Sequence, residues 1–300
     1  VPTNKIILVD FSQAVIAACA AQAKELNGNS EAKSYIRHIV LGMILQWKQK
    51  FKGKIILACD AKNYWRKDEF PAYKGHRKHE NTEFLNWDLV RECVEELKND
   101  LRLYFPYHVI EVEGAEADDV VAILTKFFQE NDLVNTGLIE EPREIVIVST
   151  DGDFQQLQKY PGVFQWNNVQ KKMIVCANPK QYLIEHLARG DTDDNVPSVC
   201  NGDDWAKARK DGVPVRAAPF KTSRLLDFYH KGIDACLNEV ERRNWKRNEL
   251  LIDLDSIPSA INMKVISAYL DYEVKGNKNK VFNYLTKNRM KYLMSSSSEF

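Results

Sequence analysis

The sequence predicts an α/β fold: a doubly wound, mostly parallel sheet with a flexible basic arch and a helical C-terminal region. Four short apolar, β-branched runs alternate with segments of helical period. Each run leads into acidic residues. After about residue 178 the strand pattern stops, and helices with polar connections take over.

The runs are residues 5–10, 54–60, 108–113 and 144–149, and three of them are almost continuously apolar, as parallel strands covered on both faces are. Between them, helices fit at 11–24, 31–50, 84–103 and 116–130. Residues 163–166 and 172–176 form an expected edge hairpin around Asn167 and Asn168. The stretch 201–219, with two Pro and two Gly, reads as a loop. Helices follow at 220–230, 232–250, 258–272 and 278–292, and the polar tail 295–300 reads as a mobile end. The expected organisation is an α/β unit at 1–178, with an arch at about 61–87, followed by a helical unit at 179–300.

The composition is that of a globular chain, with 44% hydrophobic residues. No apolar run reaches the roughly 18 residues of a membrane span, and the N-terminus has no signal-like segment. Cys19, Cys59, Cys93, Cys176, Cys200 and Cys236 lack the spacing of a zinc site or a disulfide framework. A reducing, cytoplasmic compartment is expected. The 42 basic and 42 acidic residues cancel, which by itself argues against a nucleic-acid partner. Their segregation along the chain argues the other way.

Asp10 closes the first strand and Asp60 the second. Glu116, Asp118 and Asp119 open the helix after the third, and Asp151 and Asp153 follow the fourth. Sites in doubly wound sheets form beyond the carboxyl ends of the strands, so these side chains should converge. Asp191, Asp193 and Asp194, in the loop 190–197, are placed to fold back toward them. Any one of them alone would read as a helix cap. Two carboxylates about 4 Å apart repel by about 4 kcal/mol at an effective dielectric of 20, so a cluster calls for a cation. Oxygen ligands with no accompanying histidine or thiolate favour Mg²⁺ or Mn²⁺, and two such ions suit phosphodiester cleavage.

The strings LVDFS at 8–12, LACD at 57–60, YWR at 64–66, EADD at 116–119, STDGDFQQL at 149–157 and GDTDDNVP at 190–197 occur in one order and spacing. In that pattern the chain resembles the 5′-nuclease family of flap endonucleases and polymerase 5′-exonuclease domains, and within it the T-even phage RNase H branch. The resemblance implies metal-dependent 5′→3′ exonuclease and flap endonuclease activity on RNA–DNA and DNA duplexes, with removal of RNA primers in lagging-strand replication. It implies one ion on Asp10, Asp60, Glu116 and Asp118, a second on Asp153, Asp191 and Asp194, and Asp151 between them. Mg²⁺ is the implied ion, with Mn²⁺ substituting.

Residues 43–79 hold ten Lys or Arg and three acids, interleaved with Tyr64, Trp65, Phe70 and Tyr73. Cations neutralise phosphates while aromatic faces stack on unpaired bases. By resemblance this is the arch, in which Arg66 and Lys74 are catalytic and, with Arg77, reach the scissile phosphate; Tyr64, Arg66, Lys67, Tyr73, Lys74, Arg77 and Lys78 are the expected nucleic-acid contacts. Trp65 and Phe70 are the members expected in the core. The family's glycine-rich turn after the DNVP segment is missing, so duplex contacts are expected from Lys207, Arg209, Lys210, Arg216 and Lys221 instead. Residues 274–294 add six Lys or Arg and no acid.

The expected substrates are DNA with 5′ flaps or nicks and RNA–DNA hybrids, cut by a monomer. The tail from Met290 is a candidate contact for a sliding clamp or single-strand-binding protein, and the compartment is the host cytoplasm if the chain is phage-encoded. A PIN-like ribonuclease is the enzymatic alternative, but such domains lack the arch and helical region. A phosphatase needing a second Asp two residues after Asp10 finds Ser12 there. A non-catalytic DNA-structure-binding factor is the alternative of another class, and it would have lost acidic ligands that all persist here.

Overall fold

The computed structural model describes residues 5–22, 31–78, 86–135 and 143–300, without the side chains of 78 and 131–135. Positions 23–24 and 84–85 of two expected helices, and 79–85 of the expected arch, lie outside the described residues.

Six strands form one sheet: β1 (Ile6–Asp10), β2 (Lys54–Cys59), β3 (His108–Glu111), β4 (Ile145–Val148), β5 (Val163–Asn167) and β6 (Lys172–Ile174), in the order β3-β2-β1-β4-β5-β6. All pairings are parallel except β5 with β6, the expected edge hairpin. From central β1 the chain steps outward to β2 and β3, then crosses back to lay β4 on the other side of β1. The winding reverses between β1 and β4, and at such a switch point the loops part to leave a crevice.

Helices α1 (Phe11–Ala21), α2 (Ala32–Phe51), α3 (Trp65–Glu69), α4 (Trp87–Tyr104) and α5 (Ala117–Asn135) connect the first four strands. Ile7, Val9, Ile55, Leu57, Val109, Val146 and Val148 face one layer with buried residues of α1, α2 and α4. Leu8, Ile56, Ala58, Ile110, Ile145 and Ile147 face the other, against α5. This two-residue alternation of apolar side chains explains why the runs read as continuous.

After β6 come α6 (Pro179–Arg189), α7 (Asp203–Lys210), α8 (Leu225–Lys231), α9 (Glu239–Ile252), α10 (Ser259–Leu270), α11 (Lys278–Lys287) and α12 (Lys291–Met294). Ile261 and Val265 of α10 join the layer of α5, whereas Val281, Tyr284 and Leu285 of α11 join the opposite one. A third cluster packs Phe70, Ala72 and Tyr73 against Leu187, Phe228 and Trp245, tying the basic segment to the later helices. Among the described residues no helix is long and apolar enough to cross a membrane, and all six cysteines are free thiols.

Four expectations are corrected. The helix expected at 232–250 begins at Glu239, where the Asn238 side chain accepts from the Glu241 amide and caps it; residues 232–235 form a separate short turn. The stretch 201–219 contains α7, whose first turn carries Asp203 and Asp204 and whose last carries Lys207, Arg209 and Lys210. That arrangement complements the helix dipole, and only Ala206 is buried, so the hydrophobic period is too sparse to show. The expected helix 278–292 is two helices separated at Arg289, whose φ of 55° no α-helix accepts. The tail is docked: Phe300 is 5% exposed, its ring centroid 5.4 Å from that of Phe105, and Gln49 Nε2 donates to Glu299 at 2.6 Å. Phe300→Ala should therefore destabilise the chain by about 3 kcal/mol in urea unfolding, against roughly zero for a mobile end.

Candidate metal centre and nucleic-acid groove

The strand ends place their acids at the switch point. Asp10 ends β1 and caps α1, accepting from the Gln13 amide at 3.2 Å and from Ser149 Oγ at 3.2 Å. Asp60, just past β2, accepts from the Ala117 amide at 2.9 Å, the first turn of α5. Asp151, just past β4, accepts from the Asp153 amide at 2.8 Å. Each thus doubles as an anchor for loop or helix backbone, which fixes its carboxylate without a tertiary cation.

Asp10, Asp60, Glu116, Asp118 and Asp151 line one cleft of about 490 Å³, together with Gln13, Tyr64, Lys74 and Arg77. Beside it lies a second group. Asp153, Asp191 and His186 each offer one donor atom within 4.8 Å of the others. Asp194 joins the two groups through Lys74, whose Nζ is 2.7 Å from Glu116 Oε1 and 3.4 Å from Asp194 Oδ2. The acids are thus brought together as the strand-end argument requires.

Burial pushes the Asp10 carboxyl up to about 8, reinforced by the charges of Asp60 and Asp151 and opposed by the Gln13 amide. Burial, with Asp151, Asp191 and Asp194, likewise carries Asp153 up to about 8 against the pull of His186. Asp118 and Asp151 are raised in the same way, burial first. His186 is raised to about 9, because Asp191 and Asp153 hold its proton against the effect of burial. Crowded carboxylates relieve their repulsion by holding protons or by sharing a cation. Asp153 Oδ1 is buried without a hydrogen-bond partner, and an oxygen so placed is one that a cation would satisfy. The residues fit a metal site.

Arg66 is corrected. It is 2% exposed; Nη1 lies 3.0 Å from Glu116 Oε2 and 2.7 Å from Asp119 Oδ1, while Nε donates to Leu251 O at 2.8 Å. It points into the protein and does not line the cleft. Asp119 is fully buried, accepting from the Glu116 amide at 3.0 Å and from Trp65 Nε1 at 3.1 Å. That is the reciprocal half of a capping box at the start of α5. Tyr73 is also interior, 2% exposed, its hydroxyl donating to Asp194 at 2.6 Å, so its face is not open to a base. Trp65 and Phe70 are core, as expected.

The remaining basic residues divide. Lys74 is mostly buried at the cleft, held at φ 53° with its amide donating to Asp194 O at 2.9 Å. Arg77 is half-exposed on the rim, 2.9 Å from Asp194 Oδ1. Lys67 is exposed, its Nζ 4.4 Å from the centre of the Tyr64 ring. The Lys78 side chain lies outside the described residues. Lys207, Arg216 and Lys221 are exposed. Arg209 is pinned to Thr192 O at 2.9 Å, and Lys210 covers Gly75, where a Cβ would lie 2.6 Å from its Cγ.

Two residues of this site had no signal in the sequence. His186 lies on α6, far from every strand end, and nothing in the spacing of a single histidine marks it. Asn195 was part of a recognised string but had no role. It is fully buried at φ 61°, and its Nδ2 donates to Ala72 O and Ala206 O at 2.8 Å each, locking the acidic loop to the basic segment and α7. Asn tolerates this left-handed conformation better than most residues.

Residues 5–185 match the family model for the 5′–3′ exonuclease N-terminal resolvase-like domain, and residues 178–300 match that for the C-terminal region of T4 RNase H. The chain is 32% identical to ribonuclease H of Enterobacteria phage T4 over 306 aligned positions, covering 98% of this chain and 95% of that one. It is 30% identical to DNA polymerase I of Rhizobium leguminosarum over 154 positions, 48% of this chain and 13% of that one. Among solved structures, T5 5′-exonuclease with bound zinc ions superimposes with a TM-score of 0.58 at 17% identity, covering 96% of this chain and 98% of that one. T5 D15 protein co-crystallised with metal ions gives 0.53 at 16% identity, covering 95% and 98%. These two share the fold.

Proposed function

Because the chain belongs to the 5′–3′ exonuclease and flap endonuclease family, we propose that its acidic cleft is a two-cation site that hydrolyses phosphodiesters near the free 5′ ends of DNA and RNA–DNA duplexes. The chain is a metal-dependent nuclease. The observation that carries the finer reading is the meeting of Asp10, Asp60, Glu116, Asp118 and Asp151 in one cleft at the switch point of the sheet.

Asp10, Asp60, Glu116 and Asp118 would hold one ion, Asp153, Asp191 and Asp194 the other, and Asp151 would serve both. Mg²⁺ is the proposed ion, with Mn²⁺ able to replace it. Bound there, two such ions activate a water and steady the leaving oxygen. Lys74 balances charge between Glu116 and Asp194, and with Arg77 it supplies the positive wall that a phosphate entering the cleft would meet. Tyr64 presents the aromatic surface of the cleft, the kind on which an unpaired base stacks. The exposed Lys207, Arg216 and Lys221 are the proposed duplex contacts.

In a replicating cell this chemistry removes RNA primers and adjacent DNA. The enzyme would act as a monomer in the cytoplasm, that of the host if the chain is phage-encoded. With Phe300 buried, a contact for a clamp or single-strand-binding protein falls to exposed groups such as Tyr292, 89% exposed.

The test is cleavage of a 5′-labelled flap and of a nicked RNA–DNA duplex in Mg²⁺, Mn²⁺ or EDTA. Short 5′ products that form with either ion and disappear in EDTA are expected. Binding of the flap with no cutting in either ion would defeat the proposal.

A further inference from the structure

The second group of donors contains a nitrogen. His186 Nδ1 lies 3.6 Å from Asp153 Oδ1, and Nε2 lies 3.5 Å from Asp191 Oδ2. One donor atom from each of the three residues falls within 4.8 Å of the others. Ligands about 2.1 Å from one ion stand roughly 3.0–3.4 Å from each other, so donors up to 4.8 Å apart close by up to about 1.4–1.8 Å, with one of the two ring nitrogens turned to the ion. Asp153 Oδ1, which has no hydrogen-bond partner, faces Nδ1 across that 3.6 Å.

The ring is held where it is by its own helix. Tyr182, one turn earlier on α6, packs edge-on to the imidazole with centroids 5.7 Å apart. The Tyr182 hydroxyl lies so close over Gly152 that a Cβ there would meet it at 2.7 Å. Gly190, at φ +72°, ends α6 and turns the chain into Asp191; a Cβ at Gly190 would stand 2.4 Å from Val196 O. Only glycine permits that close return, which keeps His186 and Asp191 side by side.

We propose that His186, giving up to solvent the imidazolium proton that Asp153 and Asp191 hold, is a nitrogen ligand of the second cation, and that this site therefore binds transition ions such as Co²⁺ in preference to Mg²⁺. The inference rests on the assignment of Asp153 and Asp191 to that cation. It adds a nitrogen to the all-oxygen set of Asp153, Asp191 and Asp194 that the resemblance implies. Imidazole strengthens binding of transition ions, whereas Mg²⁺ gains little from exchanging oxygen for nitrogen.

Calorimetric titration of the full chain and of His186→Gln with Co²⁺ and with Mg²⁺ tests this without substrate. Two Co²⁺ should bind the wild type, and the substitution should weaken the second at least about tenfold. Its Mg²⁺ affinity should change less than about threefold. In the proton spectrum of the Co²⁺ form, a strongly shifted, exchangeable imidazole N–H should appear in the wild type and vanish in the variant. That resonance decides the matter on the wild type even if the variant folds poorly. Equal weakening of Co²⁺ and Mg²⁺ with no shifted imidazole signal would mean that His186 only braces the carboxylates, and would overturn the inference while leaving two cations in place. A wild type that binds one Co²⁺ overturns both this inference and the two-cation reading.

Discussion

Asp151→Asn should cut cleavage of a 5′ flap about a thousandfold under single-turnover conditions, the equivalent of about 4 kcal/mol in the barrier. Asp151 is the carboxylate between the two groups: it lines the cleft of Asp10, Asp60, Glu116 and Asp118, and it accepts from the amide of Asp153 at 2.8 Å. Asn has the same shape and its carbonyl oxygen can accept the same hydrogen bond, so loop geometry survives. What disappears is one negative charge at the point both cations would share. The fold should not suffer, because burial already raises the proton affinity of Asp151 and its neighbours Asp191 and Asp194 repel it. Without metal, the thermal midpoint of the variant should equal or exceed that of the wild type, since a repulsion has been removed. A rate within tenfold of the wild type at saturating metal would show that Asp151 is not shared between two ions. A fall in the midpoint would show that its charge is structural.

The outcome bears on why so much of this site was legible from the sequence. Asp10, Asp60 and Asp151 announce themselves because each follows an apolar run directly, and the topology of a doubly wound sheet carries such positions to one edge. Strand periodicity and the chain position of the acid suffice, and no long-range contact need be known. The same reasoning fails for α7 and for the tail. Only Ala206 of α7 is buried, and Phe300 is a single aromatic after a run of serines. A helix or a terminus that fully buries one apolar side chain leaves no period to read.

His186 and Arg66 fail for another reason. Whether a single polar side chain turns inward is set by partners distant in sequence. His186 is decided by Asp153, 33 positions before it (186 − 153), together with Asp191 across the turn that ends α6. Arg66 is decided by Glu116, Asp119 and the carbonyl of Leu251, the last separated by 185 positions. Surrounded by Lys62, Lys67, Lys74 and Arg77, an arginine reads as one more solvated cation of a nucleic-acid strip. The resemblance gives the position a catalytic role, whereas its side chain is buried among these partners.

Arg66 therefore provides the sharpest test of structure against resemblance. Arg66→Met keeps a stem of similar length but leaves Glu116 and Asp119, 2% and 0% exposed, facing each other without the guanidinium that separates them. Removing one partner of a buried ion pair costs about 3–5 kcal/mol, most of it the desolvated charge left behind. Urea unfolding followed by circular dichroism should show that loss as a lower midpoint at unchanged slope. Adding Asp119→Asn should recover part of it, because one of the stranded charges is then gone, and the double-mutant cycle measures the coupling directly. Cleavage should respond differently. Measured on the folded fraction at saturating metal, the rate of Arg66→Met should stay within about tenfold of the wild type, since the side chain is buried and does not line the cleft. If Arg66 instead reached the scissile phosphate, stability would hardly move while the rate fell by about a hundredfold or more. The two roles thus predict opposite pairs of results, and one variant separates them.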